Sequence, residues 1–217
     1  MSLQHLLLSL NQWAYRGDTF VRKWRAARMA AMVRLVKPPG GARIIDLGGT
    51  EYNWRLFDHD FHVTLVNLPG TGSPVSDSSR FYRVEGSACD LEGIFNNQSF
   101  DVCFSNSTIE HVGDEDCQAK FAREAVRLAP AYWIQTPSDR CPVEVHTGLP
   151  LYWQLPGFVK SRLHLKWRRK LPAWYAMIEQ TRVLSRRRML ELFPSANIYV
   201  ERRLGLEKSY AAYRPLG

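Results

Sequence analysis

Apolar residues at helical spacing open the chain. Over residues 3–36 they recur every three or four positions, and the break at Gly17 and Asp18 divides them into two predicted helices, with Asp18 as the N-cap of the second. Two prolines and two glycines follow each other at 38–41 and end the helical pattern. Residues 1–37 are therefore predicted to form N-terminal helices.

Short apolar runs then alternate with helical segments between residues 42 and 136. The predicted strands are 42–47, 62–66, 82–84, 101–104 and 132–135, and the predicted helices are 52–57 and 114–128. Alternation at this spacing indicates an α/β fold, with a mostly parallel sheet and helices on both faces. In such a sheet the ligand lies outside the carboxyl ends of the strands.

The last third of the chain has a different pattern. Ten basic residues and only one acid, Glu179, lie between residues 160 and 188, so this segment accounts for the formal net charge of +8. Aromatic residues lie among the basic ones, and we predict a basic, aromatic helical lid or insertion over 150–190. It is suited to a membrane surface, a phosphorylated substrate or nucleic acid, but a solvated helix face would have the same pattern. Residues 196–214 predict an antiparallel β-hairpin at the sheet edge.

Length and cysteine content limit the class of protein. A chain of 217 residues is long enough for one well-buried core and short for two, so we predict a single domain over 1–217. The four cysteines form no CxxC pair, and no metal site is predicted. With no signal peptide and no apolar run of about 18 residues, a cytoplasmic location is expected, with or without peripheral membrane contact through 160–188.

The first segment with candidate chemistry follows the first predicted strand. Asp46 ends a buried apolar run, and Gly48 and Gly49 come directly after it. Glycines here let the backbone turn sharply and approach a ligand, while the carboxylate accepts hydrogen bonds from the turn or from a ligand. A third glycine is missing and the acid disfavours a phosphate, so the pattern favours a cationic, phosphate-free ligand over a dinucleotide. A strand-to-helix turn with a capping aspartate remains open.

Polar or small residues also follow the second and third strands. Asn67 stands where a nucleotide site usually has an acid for the ribose hydroxyls, and its amide is a weaker neutral partner; it would serve equally as a turn residue. Ser87 and the backbone of Ala88 follow the third strand, where they would contact the edge of a base.

The fourth strand leads into the polar residues Ser105 and Asn106. Ser107 and Glu110 have the spacing of a capping box, which gives Glu110 a structural reading. His111 lies at the mouth of the expected pocket, either as a general base or as a structural histidine.

Further candidate residues follow the fifth predicted strand. Glu144 and His146 are two positions apart, so in an extended segment they lie on the same side of the backbone. They are candidates for an acid/base pair or an acceptor-binding pair, and two such residues alone imply no metal.

These segments, in this order, resemble the class I S-adenosylmethionine-dependent methyltransferases. The similarity covers residues 42–146, with a weaker match at 182–209, and is closest to the bacterial methyltransferase type 11 group. Its basis is the sequence DLGGT from Asp46, the run from Phe100 to Val112, and QTP followed by PVEVH after the fifth strand. The run from Phe100 is the most specific of the three.

The resemblance implies a Rossmann-like seven-stranded sheet and S-adenosylmethionine as cofactor. Cofactor contacts carry over to the residues that match the motifs, namely Asp46, Gly48, Gly49, Asn67, Ser87, Ala88, Ser105 and Asn106. Catalytic candidates are His111, Glu144 and His146. Asn67 and Ser87 depart from the usual acids of the family, which would lower cofactor affinity or mark a protein that keeps the fold without the activity.

The implied reaction is methyl transfer to a small-molecule, glycan or lipid-linked acceptor. Two alternatives remain, a non-catalytic binding protein with this fold and a nucleic-acid methyltransferase. The basic segment permits the latter, although the chain has neither a base-amine motif of the Asn-Pro-Pro-Tyr type nor a recognisable RNA-binding module. A nicotinamide oxidoreductase is disfavoured by the missing third glycine. Oligomeric state is left open.

Overall fold

The computed structural model describes residues 20–141, 152, 155–203 and 205–217. The first predicted N-terminal helix lies outside the described residues. So do Glu144 and His146.

The described chain forms a seven-stranded sheet with helices before, between and after the strands. In chain order the elements are α1 (Phe20–Val36), β1 (Arg43–Leu47), α2 (Glu51–Trp54), β2 (His62–Asn67), β3 (Phe81–Glu85), β4 (Val102–Asn106), a 3₁₀ turn (Ile109–His111), α3 (Glu115–Leu128), β5 (Ala131–Pro137), α4 (Gly157–Lys170), α5 (Pro172–Gln180), α6 (Arg186–Leu192), β6 (Asn197–Arg203) and β7 (Leu206–Arg214). The helix predicted over 52–57 is only the single turn α2, which ends at Trp54.

The strands are ordered β3-β2-β1-β4-β5-β7-β6 across the sheet. The first five are parallel to their neighbours, while β7 is antiparallel to both β5 and β6. The predicted mostly parallel sheet with a C-terminal antiparallel hairpin is confirmed. Because β1 lies between β2 and β4, the carboxyl ends of these three strands meet at one point of the sheet edge, where the chain order reverses.

Helices cover both faces of the sheet, and this explains the continuous apolar run in β1. Ile44 belongs to the core beneath α1, together with Met32, whereas Ile45 belongs to the opposite core, with Phe121 of α3. The side chains of Ile44, Ile45 and Phe121 are completely buried. A strand covered on both faces is buried at consecutive positions, so β1 shows no alternation from Ile44 to Leu47.

The segment between β5 and β6 is helical in its described part. A small separate core formed by Tyr152, Trp167 of α4 and Ile178 of α5 holds this segment together. The structure therefore has helices within the region predicted as a helical lid or insertion, and its action as a lid stays a prediction. No helix in the described ranges is long and apolar enough to cross a membrane.

Candidate functional site

A tight glycine turn follows β1 at the carboxyl edge of the sheet. Gly48 has a φ of +81°, which favours glycine, and its N–H donates to the carbonyl oxygen of Val66 at 2.8 Å. A Cβ at position 48 would lie 2.5 Å from the side chain of Thr108. The turn is therefore held between β2 and the segment after β4, and it has no space for a side chain.

The second glycine of the turn lies directly on the carboxylate of Asp46. A Cβ at Gly49 would be 1.8 Å from Asp46 Oδ2, far inside van der Waals contact. The sequence pattern of an acid two residues before paired glycines thus has a steric reason, because the carboxylate folds beneath the turn. This is the close backbone approach that the sequence predicts.

Asp46 is a buried carboxylate in an apolar environment. Its exposed fraction is 0%, Trp54 Nε1 donates to its Oδ2 at 2.8 Å, and its Oδ1 has no hydrogen-bond partner among the described residues. Burial raises the pKa of Asp46 to about 7, and the Trp54 hydrogen bond offsets only part of that rise. The carboxyl group therefore changes charge near neutral pH. A pKa perturbed by burial at a ligand-facing turn marks a candidate functional site.

Asn67, at the end of β2, contacts the same turn. Its side-chain Nδ2 donates to the carbonyl oxygen of Gly49 at 3.0 Å, and its backbone carbonyl oxygen accepts from the N–H of Gly86 at 2.9 Å. Asn67 thereby connects the glycine turn to the loop after β3. The structure places it where the sequence predicts, and its amide nitrogen is used to hold the turn.

Ser87 and Ala88 lie in the loop after β3. An isolated antiparallel bridge joins Ser87 to Asp90, and the hydroxyl of Ser87 accepts from the N–H of Cys89 at 3.3 Å. Ala88 is half-buried and packs against the core beneath α3. Both residues thus lie at the predicted sheet edge, next to Gly86 and the end of β2.

Ser105 and Asn106 end β4 on the other side of the turn. The hydroxyl of Ser105 is fully buried and donates to the carbonyl oxygen of Leu47 at 2.9 Å, so its side chain fastens β4 to β1. Asn106 Oδ1 accepts from the Arg28 guanidinium at 2.6 Å. Cofactor contact by these two residues stays a prediction, and for Ser105 it would have to involve the backbone.

The capping box predicted from Ser107 and Glu110 is wrong. The residue before the 3₁₀ turn is Thr108, while Ser107 has a φ of +58° and its hydroxyl donates to Gln135 Oε1 at 3.0 Å. Glu110 is buried and accepts from the Thr136 hydroxyl at 3.1 Å. The 3₁₀ turn has only three residues and no side-chain cap, and the adjacent strand β5 supplies the hydrogen bond of the Glu110 side chain instead.

His111 is exposed at the end of the 3₁₀ turn. Its Nδ1 lies 3.3 Å from the hydroxyl of Thr181, which follows α5. Beside it, the N–H of Arg182 donates to the carbonyl oxygen of Glu110 at 2.7 Å. The helical segment after β5 is therefore attached to the β4 side of the site at this turn, and a general-base role of His111 stays a prediction.

Sequence reasoning missed a buried arginine behind the site. Arg28 of α1 is 6% exposed and donates from Nε to Glu201 Oε2 at 2.8 Å. Its Nη1 donates to Asn106 Oδ1 at 2.6 Å and to Gln135 Oε1 at 3.3 Å. Arg28 lies four residues before Met32, so the sequence places a charge on the apolar face of α1, and this could have indicated a buried arginine.

Glu201, the acid that pairs with Arg28, is ionised although it is buried. Burial alone would raise the pKa of Glu201, but the positive charges of Arg28 and Lys208, together with hydrogen bonds from Ser209 and Arg28, hold that pKa below its ordinary value. The pKa of Lys208 is in turn lowered to about 8, mainly by burial and then by the charge of Arg28. Opposite charges therefore face each other between α1 and the C-terminal hairpin.

Solved structures of methyltransferases are similar to this chain. Phosphoethanolamine N-methyltransferase 2 from Haemonchus contortus, solved with S-adenosyl-L-methionine, is 15% identical, with a TM-score of 0.59 over 94% of this chain and 56% of its own. Geranyl diphosphate C-methyltransferase from Streptomyces coelicolor A3(2) is 11% identical, with a TM-score of 0.55 over 89% of this chain and 80% of its own. The chain has the class I methyltransferase fold.

A third structure with this fold is the partner of the Haloferax volcanii methyltransferase activator Trm112, 15% identical with a TM-score of 0.54 over 90% of both chains. The chain spans 63% and 66% of two other matched proteins, from Anabaena variabilis ATCC 29413 and Bordetella parapertussis, which is less than two thirds of each. No protein-family model and no curated protein sequence matches the chain, so the narrower type 11 grouping stays a prediction.

Proposed function

We propose that the protein is an S-adenosylmethionine-dependent methyltransferase. The observation that carries the proposal is the glycine turn after β1, in which Gly49 rests on the buried carboxylate of Asp46. In a methyltransferase fold this turn lies at the point of the sheet edge where a ligand is expected. The neighbouring side chains Asn67 and Asn106 come from the strands on either side of β1.

The residues at the turn fit this cofactor better than a dinucleotide. S-adenosylmethionine is cationic and has no phosphate, so a carboxylate beneath the turn attracts it, whereas the same carboxylate repels a pyrophosphate. Asp46 Oδ1 is buried without a hydrogen-bond partner in the described chain, which leaves its charge uncompensated until a cation binds nearby. The cofactor would be held by Asp46, Gly48, Gly49, Asn67, Ser87, Ala88 and Asn106, with Ser105 contributing through its backbone.

When bound, S-adenosylmethionine supplies a methyl group activated on a sulfonium. The chain itself would contribute binding, orientation and exclusion of water, which are the main requirements of in-line methyl transfer. His111 accepts a proton from the acceptor if the attacking atom must lose one. Glu144 and His146 are proposed to bind or deprotonate the acceptor from the segment after β5.

A small-molecule, glycan or lipid-linked acceptor is favoured by the charge of the chain. The basic residues between 160 and 188 would attract an acidic acceptor. The named substrates of the two enzymes with the similar fold, phosphoethanolamine and geranyl diphosphate, both contain phosphate. This supports an acceptor that carries phosphate or another anionic group.

A non-catalytic protein with this fold is the second candidate. It is favoured by Asn67, which replaces the usual acid and uses its amide nitrogen on the carbonyl oxygen of Gly49. A neutral amide gives a weaker hydrogen bond to a ribose hydroxyl than a carboxylate does. This candidate requires that S-adenosylmethionine does not bind.

Calorimetric titration with S-adenosylmethionine, and separately with NADH, tests the proposal. We expect S-adenosylmethionine to bind and Asp46→Asn to weaken it by about 10- to 100-fold, as expected for loss of a charged partner. The matched control is Asp101→Asn, since Asp101 accepts from the N–H of Arg43 at the opposite, amino-terminal edge of the sheet. Absence of binding at millimolar S-adenosylmethionine, or equal weakening by the control, contradicts the proposal.

If the cofactor binds, His111→Asn tests the proton acceptor once an acceptor is identified. Cofactor affinity should be unchanged, because His111 is not among the residues proposed to hold the cofactor, while the pH dependence of turnover should disappear at its acidic limb. An unchanged pH profile would remove His111 from the reaction.

A further inference from the structure

Nine of the ten basic residues between 160 and 188 lie on two helices, α4 and α6, in different environments. Those on α6 are paired with carboxylates: Arg186 with Glu207 at 2.8 Å, and Arg187 with Glu191 at 2.9 Å. Arg188 also lies 3.5 Å from Glu191. The charge of α6 is therefore largely compensated within the protein.

The basic residues of α4 are not compensated in this way. This helix has six of them and no acid, namely Lys160, Arg162, Lys166, Arg168, Arg169 and Lys170. Lys160 lies over the Tyr152 ring at 5.6 Å, on the inner side of the helix. None of the other five forms an ion pair with an acid in the described part of the chain. The excess positive charge of the protein is thus concentrated on α4.

One face of α4 combines this charge with exposed apolar side chains. Phe158, Arg162, Leu165 and Arg169 are three or four residues apart, which places them on one face of the helix. Phe158 is 67% exposed and Leu165 is 58% exposed. Large apolar side chains so exposed, two helical turns apart and surrounded by positive charge, need an external partner to leave water.

The opposite face of α4 fixes the orientation of the helix. Trp167 is 9% exposed and packs with Tyr152 and Ile178 in the small core of this segment. On the same side, Nε2 of His164 lies 2.6 Å from the Tyr152 hydroxyl. The helix is therefore held by its inner face, and its outer face is directed away from that core.

We propose that the outer face of α4 docks on a membrane surface that contains anionic lipid. The arginines and lysines would contact the lipid headgroups, while Phe158 and Leu165 would enter the boundary between headgroups and acyl chains. The long basic side chains also reach outward to the headgroups while their aliphatic parts stay in the apolar layer. Nucleic acid would also be attracted by the basic residues, but it offers Leu165 no apolar layer to enter. The docking is independent of the proposed methyl transfer, and for a lipid-linked acceptor it would bring the site to its substrate.

Vesicle co-sedimentation of the whole chain tests the charge requirement. The probes are vesicles of phosphatidylcholine alone and of phosphatidylcholine with about 30% phosphatidylserine, the latter resembling an anionic leaflet. We expect binding only to the anionic vesicles. The variant Arg162→Gln/Lys166→Gln/Arg169→Gln should reduce binding to the anionic vesicles by about 100-fold, because each basic residue removed weakens binding several-fold.

A control variant removes the same number of exposed charges elsewhere. Arg34→Gln/Lys37→Gln/Arg123→Gln changes three exposed basic residues outside α4 and should reduce binding to anionic vesicles by less than about threefold, through net charge alone. If this control loses as much binding as the α4 variant, or if the unaltered protein does not bind anionic vesicles, the proposal is overturned.

A second variant separates lipid from other anions. Phe158→Ser/Leu165→Ser should weaken vesicle binding even at high salt, since insertion of apolar side chains is not screened. Val126→Ser/Leu206→Ser, also at exposed apolar positions, should leave it unchanged. Equal vesicle binding by the first variant and the unaltered protein, or tighter binding to polyuridylate than to anionic vesicles at the same salt, would overturn the assignment to lipid. Asp46→Asn should still bind vesicles, so this result is distinguishable from failure of the proposed function.

Discussion

Replacing Asp46 by asparagine should remove a pH dependence from the stability of the fold. In the folded protein burial raises the pKa of Asp46 from 3.8 to about 7. Between these two values the folded state keeps a proton that the unfolded chain has lost. The free energy of unfolding therefore falls as pH rises from about 4 to about 7 and stays level above that. A difference of about three pKa units corresponds to a loss on the order of 4 kcal/mol, at 1.36 kcal/mol per unit.

The assay is urea denaturation of the protein and of Asp46→Asn at intervals from about pH 4 to about pH 8. Asparagine is neutral throughout and its carbonyl oxygen still accepts from Trp54, so any fixed cost of the amide is independent of pH. Subtracting the two curves cancels the other titrating groups, and the difference should change by several kcal/mol in favour of Asp46→Asn towards high pH. If the difference in free energy of unfolding does not vary with pH, the reasoning is refuted, because burial then does not raise the pKa of Asp46.

Three further variants test the contacts around the site. Gly49→Ala places a Cβ 1.8 Å from a carboxylate oxygen and should destabilise the protein by about 1–3 kcal/mol in urea denaturation, whereas Gly93→Ala, with nothing within 4 Å, should be neutral. Arg28→Met should cost about 3–5 kcal/mol, because the buried Glu201 carboxylate then lacks its Arg28 partner. Adding Glu201→Met should restore part of this loss, with the half-buried Lys208 left as the remaining charge; additive losses would contradict the pairing. Trp54→Phe removes a buried donor and should cost about 1–3 kcal/mol at pH 8 and less at pH 5; equal costs at both would argue against a charged acceptor.

The raised pKa of Asp46 also affects binding of the proposed cofactor. Only the ionised carboxylate attracts a cation, so affinity for S-adenosylmethionine should increase as pH rises through about 7. In Asp46→Asn this increase should be absent. The same residue thus opposes folding stability and favours binding in the same pH range, a trade-off expected where a strained charge is kept for a ligand.

The sequence determined the architecture because its signals are local. The apolar run of β1 showed a strand covered on both faces, and the paired glycines after Asp46 marked the turn at its end. The basic pattern around α4 was equally visible. Periodicity and turn chemistry act within a few residues, so they can be read along the chain. The absent capping box at Ser107 shows the limit of this, since the neighbouring strand β5 supplies the partner of Glu110.

Only the tertiary structure decided which polar groups meet. Arg28 and Glu201 are 173 residues apart, yet their side chains form a buried pair behind Asn106. Arg186 of α6 likewise pairs with Glu207 of β7 at 2.8 Å, a contact that the sequence around α6 does not reveal. The charge state of Asp46 depends on how completely the fold excludes water from it. Burial, long-range pairing and desolvation arise from packing between distant segments, and so the order of residues alone determined the fold and the position of the site, while packing determined its electrostatics.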